Sequence, residues 1–179
     1  MRIAPVAVGF RGDHERVCVE AAASARVTHA HPVGVDGAVV QAAAIAAALR
    51  NEDILSVARA TAQTAELRRT LEAVEELLAV DPARAQPHAR LRSSSDAAES
   101  VAAGLYSALA HDRFETALQF AVHLGGDTDT VAAMAGALVG ARDGYQSIPT
   151  RWLEALEDGE RGRSYIEALI TPLCDVRAA

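Results

Sequence analysis

The stretch Gly125–Ala141, GGDTDTVAAMAGALVGA, decides how this chain is read. Two glycines precede two carboxylates and two hydroxyls, and a run of small apolar residues follows. The run predicts a helix, with the oxygen-rich residues at its entrance. Three consecutive positions inside a helix fan over ~200°, so carboxylates two residues apart do not share a face there. At the entrance the first residue has non-helical dihedrals, and that bend lets Asp127, Asp129 and Thr130 converge. Gly125 and Gly126 permit the turn, because glycine accepts positive φ at little cost. Two carboxylates and a hydroxyl are hard ligands that suit Mg²⁺, Mn²⁺ or Ca²⁺ better than Zn²⁺. The same helix end offers unpaired N–H groups to a phosphate. Helix capping explains the same residues, at ~0.3–1 kcal/mol for each carboxylate. From the pattern alone, metal binding and capping stay open side by side.

Behind the cluster Ala132, Gly136 and Gly140 form a small-residue stripe. Interior glycine costs ~1 kcal/mol relative to alanine. Close backbone contact with a neighbouring helix would offset it, so this helix is expected at the centre of a bundle.

Working outward, helical spacing covers Asp13 to about His29, ending at Pro32 and Gly34. Residues 35–49, VDGAVVQAAAIAAAL, form a second helix, apolar nearly all round and therefore buried. Asn51 is expected to cap a third helix and Thr64 a fourth, with Leu67, Leu71, Val74, Leu77 and Leu78 on one face. DPARAQPHARLRSSSDAAE is the one long irregular stretch. Helices then follow from Ser100 and from Asp112, where Glu115 completes a capping-box spacing and Gly125 supplies the stop. Pro149 opens a short helix, and a last one spans about 162–171. No period-2 strand, repeat or domain boundary is found, so residues 1–179 read as one all-α domain.

The chain has 179 residues and a net charge of −7, with no block of Lys or Arg, which disfavours nucleic acid and anionic membranes as partners. The run 33–49 carries Asp36 and Gln41 and is mostly alanine, too weak for a membrane span. Cys18 and Cys174 lie far apart without metal spacing, and are expected to be reduced thiols in a cytoplasmic protein.

GGDTDTVAAMAGALVGARDGYQSIPTRW resembles the C-terminal signature of the ADP-ribosylglycohydrolases. MRIAPVAV, THAHPVGVDGAVVQAAAIAAAL and ESVAAGLYSALAHDRFETALQFAVHLGG resemble further family landmarks, in the family's order. The resemblance implies an all-α, multi-helix orthogonal bundle that cleaves the glycosidic bond between ADP-ribose and a protein side chain. It implies two Mg²⁺ ions, sometimes Mn²⁺, with Asp127, Asp129 and Thr130 as metal ligands. It also implies His29 beside the ADP-ribose and Asp129 as the residue that bridges the metals or orients the attacking water. His31 and His123 are expected to be structural, and Tyr106 and Trp152 to be core residues.

Family members are nearly twice as long, and their first half carries a Thr/Ser-Asp-Asp metal motif that is not found here. The chain is therefore expected to correspond to the C-terminal half, without the N-terminal helices. LRSSSDAAES stands where many members have a Gly-rich loop near the adenosine. Two expectations follow: negligible hydrolysis by the chain alone, and open apolar faces that take an N-terminal-half chain or a second copy. A non-catalytic module that binds ADP-ribose or a protein is the alternative.

Overall fold

The computed structural model describes residues 1–80, 87–91 and 96–175, and every regular element among them is helical. In order these are α1 (Ala4–Gly9), α2 (His14–Arg26), α3 (Pro32–Leu49), α4 (Ile54–Thr61), α5 (Ala65–Leu78), α6 (Pro87–Arg90), α7 (Ala97–Leu109), α8 (Phe114–His123), α9 (Thr128–Asp143), α10 (Thr150–Ala155) and α11 (Arg163–Asp175). A 3₁₀ turn, Tyr145–Ser147, links α9 to α10. Most of the long irregular stretch lies outside the described residues.

α3 is the axis of the bundle. It packs against α1, α2, α4, α5, α7 and α9. Its unbroken buried run, Val40 to Ala48, explains why no polar face was legible. Alanine makes this possible, because a one-methyl side chain lets neighbours close in from several directions. By length and composition α3 could cross a membrane, but two thirds of it, 67%, is buried within the bundle. Pro32 at its first position and His31 at its N-cap start it three residues before the expected point. The backbone N–H of Val33 donates to Nδ1 of His31 at 3.3 Å.

The crossings explain two glycines. A Cβ on Gly37 would stand 3.3 Å from the Cβ of Ala97, bringing α3 close to α7. A Cβ on Gly104 would stand 3.1 Å from the Cβ of Met134, bringing α7 close to α9. The expected role of the Gly136–Gly140 stripe is corrected. Those two positions face the side chains of Leu118 and Phe114 on α8 at 3.6–3.9 Å, not a neighbouring backbone. The close approach to α9 comes from Gly104 instead.

Asp36 fastens α3 to the α4–α5 junction. Its buried carboxylate accepts from the backbone N–H of Gln63 (3.0 Å) and of Thr64 (2.6 Å), and from the Thr64 hydroxyl (2.7 Å). Thr64 thus stands at the N-cap of α5 without capping it through its own side chain. α5 then buries Leu67, Leu71, Val74 and Leu77, as its spacing predicted. Each such side chain stabilises by ~1.5–3 kcal/mol. Arg142 on α9 closes the far end, donating to the carbonyls of Ala108 in the last turn of α7 (2.7 Å) and of His111 just after it (3.1 Å).

Three expected helix starts move, the first being that of α7, which Asp96 caps at Ala97 and not at Ser100. Asn51 adopts φ 56° in the turn after α3, and Asp53 caps α4 through the Ser56 amide at 3.0 Å. Arg113, not Asp112, holds the N-cap of α8, with no side-chain cap. α1 is an element that the sequence did not suggest. Tyr106 is buried against Phe120, and Trp152 meets Phe114 edge-on, both as core residues. The outward face of α11 leaves Tyr165, Ile166, Leu169 and Ile170 exposed.

Candidate active site

The entrance to α9 is built by two glycines in the left-handed region, Gly125 at φ 75° and Gly126 at φ 70°. Only glycine adopts both in succession without steric cost. The turn places Asp127 at the N-cap, yet its carboxylate accepts no backbone N–H of the helix. The capping explanation therefore fails for this residue. Asp129 uses Oδ1 to accept the Thr130 amide at 2.9 Å. The two carboxyl groups lie within hydrogen-bonding reach. That hydrogen bond, with the Thr130 amide second, holds Asp129 below the usual carboxylate range. The two acids thus lie side by side, but Asp129 turns Oδ1 to the helix backbone and not toward Asp127 and Thr130 together.

Asp127 and Thr130 face a cavity of about 470 Å³, within the range for small-molecule sites. Asp129 is exposed and is not on its wall. α3 supplies one wall through Gly34, Gly37, Ala38 and Gln41. α7 supplies Ser100 and Val101, and Met134 of α9 closes the floor. The opposite lip carries Arg2, Thr28 and His29.

That lip is a relay. Nη2 of Arg2 donates to Oγ1 of Thr28 at 2.8 Å, and the same oxygen is 2.8 Å from Nδ1 of His29. Arginine only donates, so the Thr28 oxygen accepts from Arg2, while its own proton has two acceptors in reach, Nδ1 of His29 and the Ala25 carbonyl at 3.5 Å. The cavity wall therefore combines a guanidinium and an imidazole, from Arg2 and His29, with one carboxyl group and one hydroxyl, from Asp127 and Thr130. The other expected structural histidine, His123, lies within 2.6 Å of the Gln119 carbonyl in its own helix.

As a cation site the entrance fits in kind and falls short in number. Asp127, Asp129 and Thr130 present only hard oxygens, and two adjacent carboxylates repel unless a proton or a cation is shared between them. Mg²⁺ takes six oxygen ligands, however. Among the described residues no cluster of three or more His, Cys, Asp or Glu gathers to hold a metal.

Of the residues that the sequence singled out, Asp127, Thr130 and His29 line the cavity and Asp129 does not; Arg2, Thr28, Gln41 and Ser100 line it too and were missed. Gln41 did carry a signal, as a lone amide within an alanine-rich apolar helix. The first two carried none, since their role depends on three segments meeting. The serines of LRSSSDAAES, residues 93–95, lie outside the described residues.

Comparison with known proteins agrees with this architecture. The family model for ADP-ribosylglycohydrolase matches residues 1–178. An uncharacterized protein of Archaeoglobus fulgidus is 34% identical over 98% of this chain and 57% of its own length. The ADP-ribosylhydrolase ARH3 of Bos taurus is 29% identical over 89% of this chain and 53% of its own. A solved structure, an ADP-ribosylglycohydrolase-related protein complex, superposes with a TM-score of 0.79 at 30% identity, over 98% of this chain and 58% of that one. The chain thus spans little more than half the length of the relatives it matches.

Proposed function

The chain belongs to the ADP-ribosylglycohydrolase family, and on that premise we propose that its cavity binds ADP-ribose as part of a hydrolase acting on ADP-ribosyl glycosidic bonds. One observation carries the reading: Asp127 stands at a helix N-cap without capping, and faces a small-molecule cavity beside Thr130. A carboxylate released from local duty at a cavity wall is available for ligand or cation.

In this proposal Asp127, Asp129 and Thr130 hold Mg²⁺, with Mn²⁺ a substitute and two ions the family's number. Such an ion would orient the ribose and stabilise charge developing at the anomeric carbon. The chain's own groups do the rest. His29 turns its imidazole to a phosphate or ribose oxygen, and Arg2 brings positive charge to the same lip. Asp129, next to the cavity-lining Asp127 and Thr130 in sequence, accepts a hydrogen bond from the water that attacks. The water's oxygen bonds to the anomeric carbon as the bond to the acceptor side chain breaks, and the water's proton passes to that leaving group.

Three oxygens of the six that Mg²⁺ takes leave the remainder to water or to another segment. We assign them to a segment beyond these 179 residues, contributed in the same polypeptide or by a partner. That the chain corresponds to the C-terminal half of the enzyme is part of this proposal. The family match, which runs over the whole chain, does not by itself say so. The shortfall in ligands, with Asp129 off the cavity wall, favours a second reading: a module that binds ADP-ribose without cleaving it.

Calorimetric titration with ADP-ribose, with and without Mg²⁺, tests the proposal, alongside release of ADP-ribose from a modified protein. Binding strengthened by Mg²⁺ and abolished of that dependence in D127N is expected, with negligible release by the chain alone. Binding without release even when a completing segment is supplied would favour the second reading. Absence of ADP-ribose binding under all conditions sinks both.

A further inference from the structure

Gln41 is 1% exposed and stands in the most apolar helix of the protein. Its Nε2 donates to the Met134 carbonyl of α9 at 3.1 Å. Turning the amide over would set oxygen against oxygen, so the orientation is determined by chemistry. Its Oε1 has no hydrogen-bond partner among the described residues. A buried carbonyl oxygen left unpaired costs ~1–3 kcal/mol, a cost that leucine or alanine would avoid. Buried polar groups without a protein partner find one in water or ligand.

The position says which ligand. Gln41 lines the cavity one helical turn beyond Gly37 and Ala38, whose small size leaves room for the amide to shift toward a ligand. Met134, its anchor, lies one turn along α9 from Thr130. The amide therefore belongs to the end of the cavity that carries Asp127 and Thr130. An amide oxygen repels phosphate and accepts from hydroxyls.

We propose that Oε1 of Gln41 is a ligand-recognition acceptor that takes a hydrogen bond from a hydroxyl of the ribose next to the cleaved bond. The inference rests on the ADP-ribose reading and adds a specificity residue to it. The amide is tethered to α9 through Nε2, so little entropy is lost when the hydroxyl arrives. A site built to pair a hydroxyl discriminates strongly against ligands that lack one, because its own polar atom is then stranded.

The test is calorimetric titration of the chain with ADP-ribose and with ADP, which lacks that ribose, in Mg²⁺. Wild type is compared with Gln41→Met, a swap that conserves volume. Affinity for ADP-ribose is expected to fall by about 3- to 10-fold, the worth of one neutral hydrogen bond, while affinity for ADP stays unchanged. Equal affinity of variant and wild type for ADP-ribose overturns the inference and leaves the ADP-ribose reading intact, the oxygen then holding only water. An equal loss for both nucleotides overturns it too, by showing a purely structural amide. A wild type that binds no ADP-ribose removes the reading beneath it and the inference together. Should the variant fail to fold, NMR of the wild-type Gln41 side-chain amide decides. Its resonances should shift on adding ADP-ribose and not on adding ADP; no shift with ADP-ribose overturns the inference.

Discussion

Removing the Asp36 carboxylate should be among the most damaging single changes away from the site. Three donors depend on it: the amides of Gln63 and Thr64 and the Thr64 hydroxyl. In Asp36→Ala all three lose their acceptor at once. A stranded buried donor costs ~1–3 kcal/mol. The α4–α5 junction is part-exposed, and water recovers some of that. About 1–1.5 kcal/mol for each donor gives a total near 3–4 kcal/mol. Asp36→Asn keeps one accepting oxygen and turns an N–H₂ group toward the other donors, so about 2–3 kcal/mol is expected. Thr64→Val removes only the hydroxyl bond, for about 1 kcal/mol, and should couple to Asp36→Ala by a similar amount. Urea unfolding followed by far-UV circular dichroism reads these values. With an m-value of ~2–3 kcal/mol/M, the Asp36→Ala midpoint should fall by roughly 1–2 M. A loss below about 1 kcal/mol, or an Asp36→Asn protein as stable as wild type, would refute the view that this carboxylate fastens α3 to α5.

Glycine substitutions separate the two small-residue contacts. Gly104→Ala forces a methyl to 3.1 Å from the Met134 Cβ, and should destabilise by about 1–2 kcal/mol despite its better helix propensity. Gly136→Ala meets Leu118 at an ordinary 3.6 Å, and should stabilise by ~0.5–1 kcal/mol; thermal melts that rank the two in reverse order would contradict the packing. Asp53 is held below the usual carboxylate range by the Ser56 amide it caps. A lowered folded-state pKa means stability that is present above the unfolded pKa and lost as pH falls through the folded one. Asp53→Ala should therefore cost ~1 kcal/mol near neutral pH, and the gap to wild type should close in acid; a gap that persists at pH 2 argues against capping. The exposed apolar face of α11, Tyr165, Ile166, Leu169 and Ile170, should make sedimentation concentration-dependent in the micromolar range, and Ile166→Lys with Ile170→Lys should remove that dependence. A monomer at every concentration would count against an interface there.

Sequence periodicity was sufficient for the all-helical class, the buried face of α5 and the burial of α3, because each depends on residues within a few turns of one another. The hinge at Gly125–Gly126 was legible for the same reason. Its two left-handed residues and the acids after them act over five positions. Start points were read less well. At Asn51 and Asp112 a cap-forming residue was present, but a neighbour two or one positions on took the role. Capping depends on which residue leaves the helix first, and tertiary packing decides that.

The cavity itself belongs to the tertiary structure. Arg2, Thr28, Gln41, Ser100 and Asp127 come from four separate regions of the chain, and no local rule brings them together. The same holds for Asp36, whose donors lie 27 and 28 residues away. Short-range hydrogen bonds and side-chain spacing are written into neighbouring residues. Which apolar faces meet, which carboxylate is relieved of capping and which amide oxygen is left unpaired follow only from how the helices close on α3.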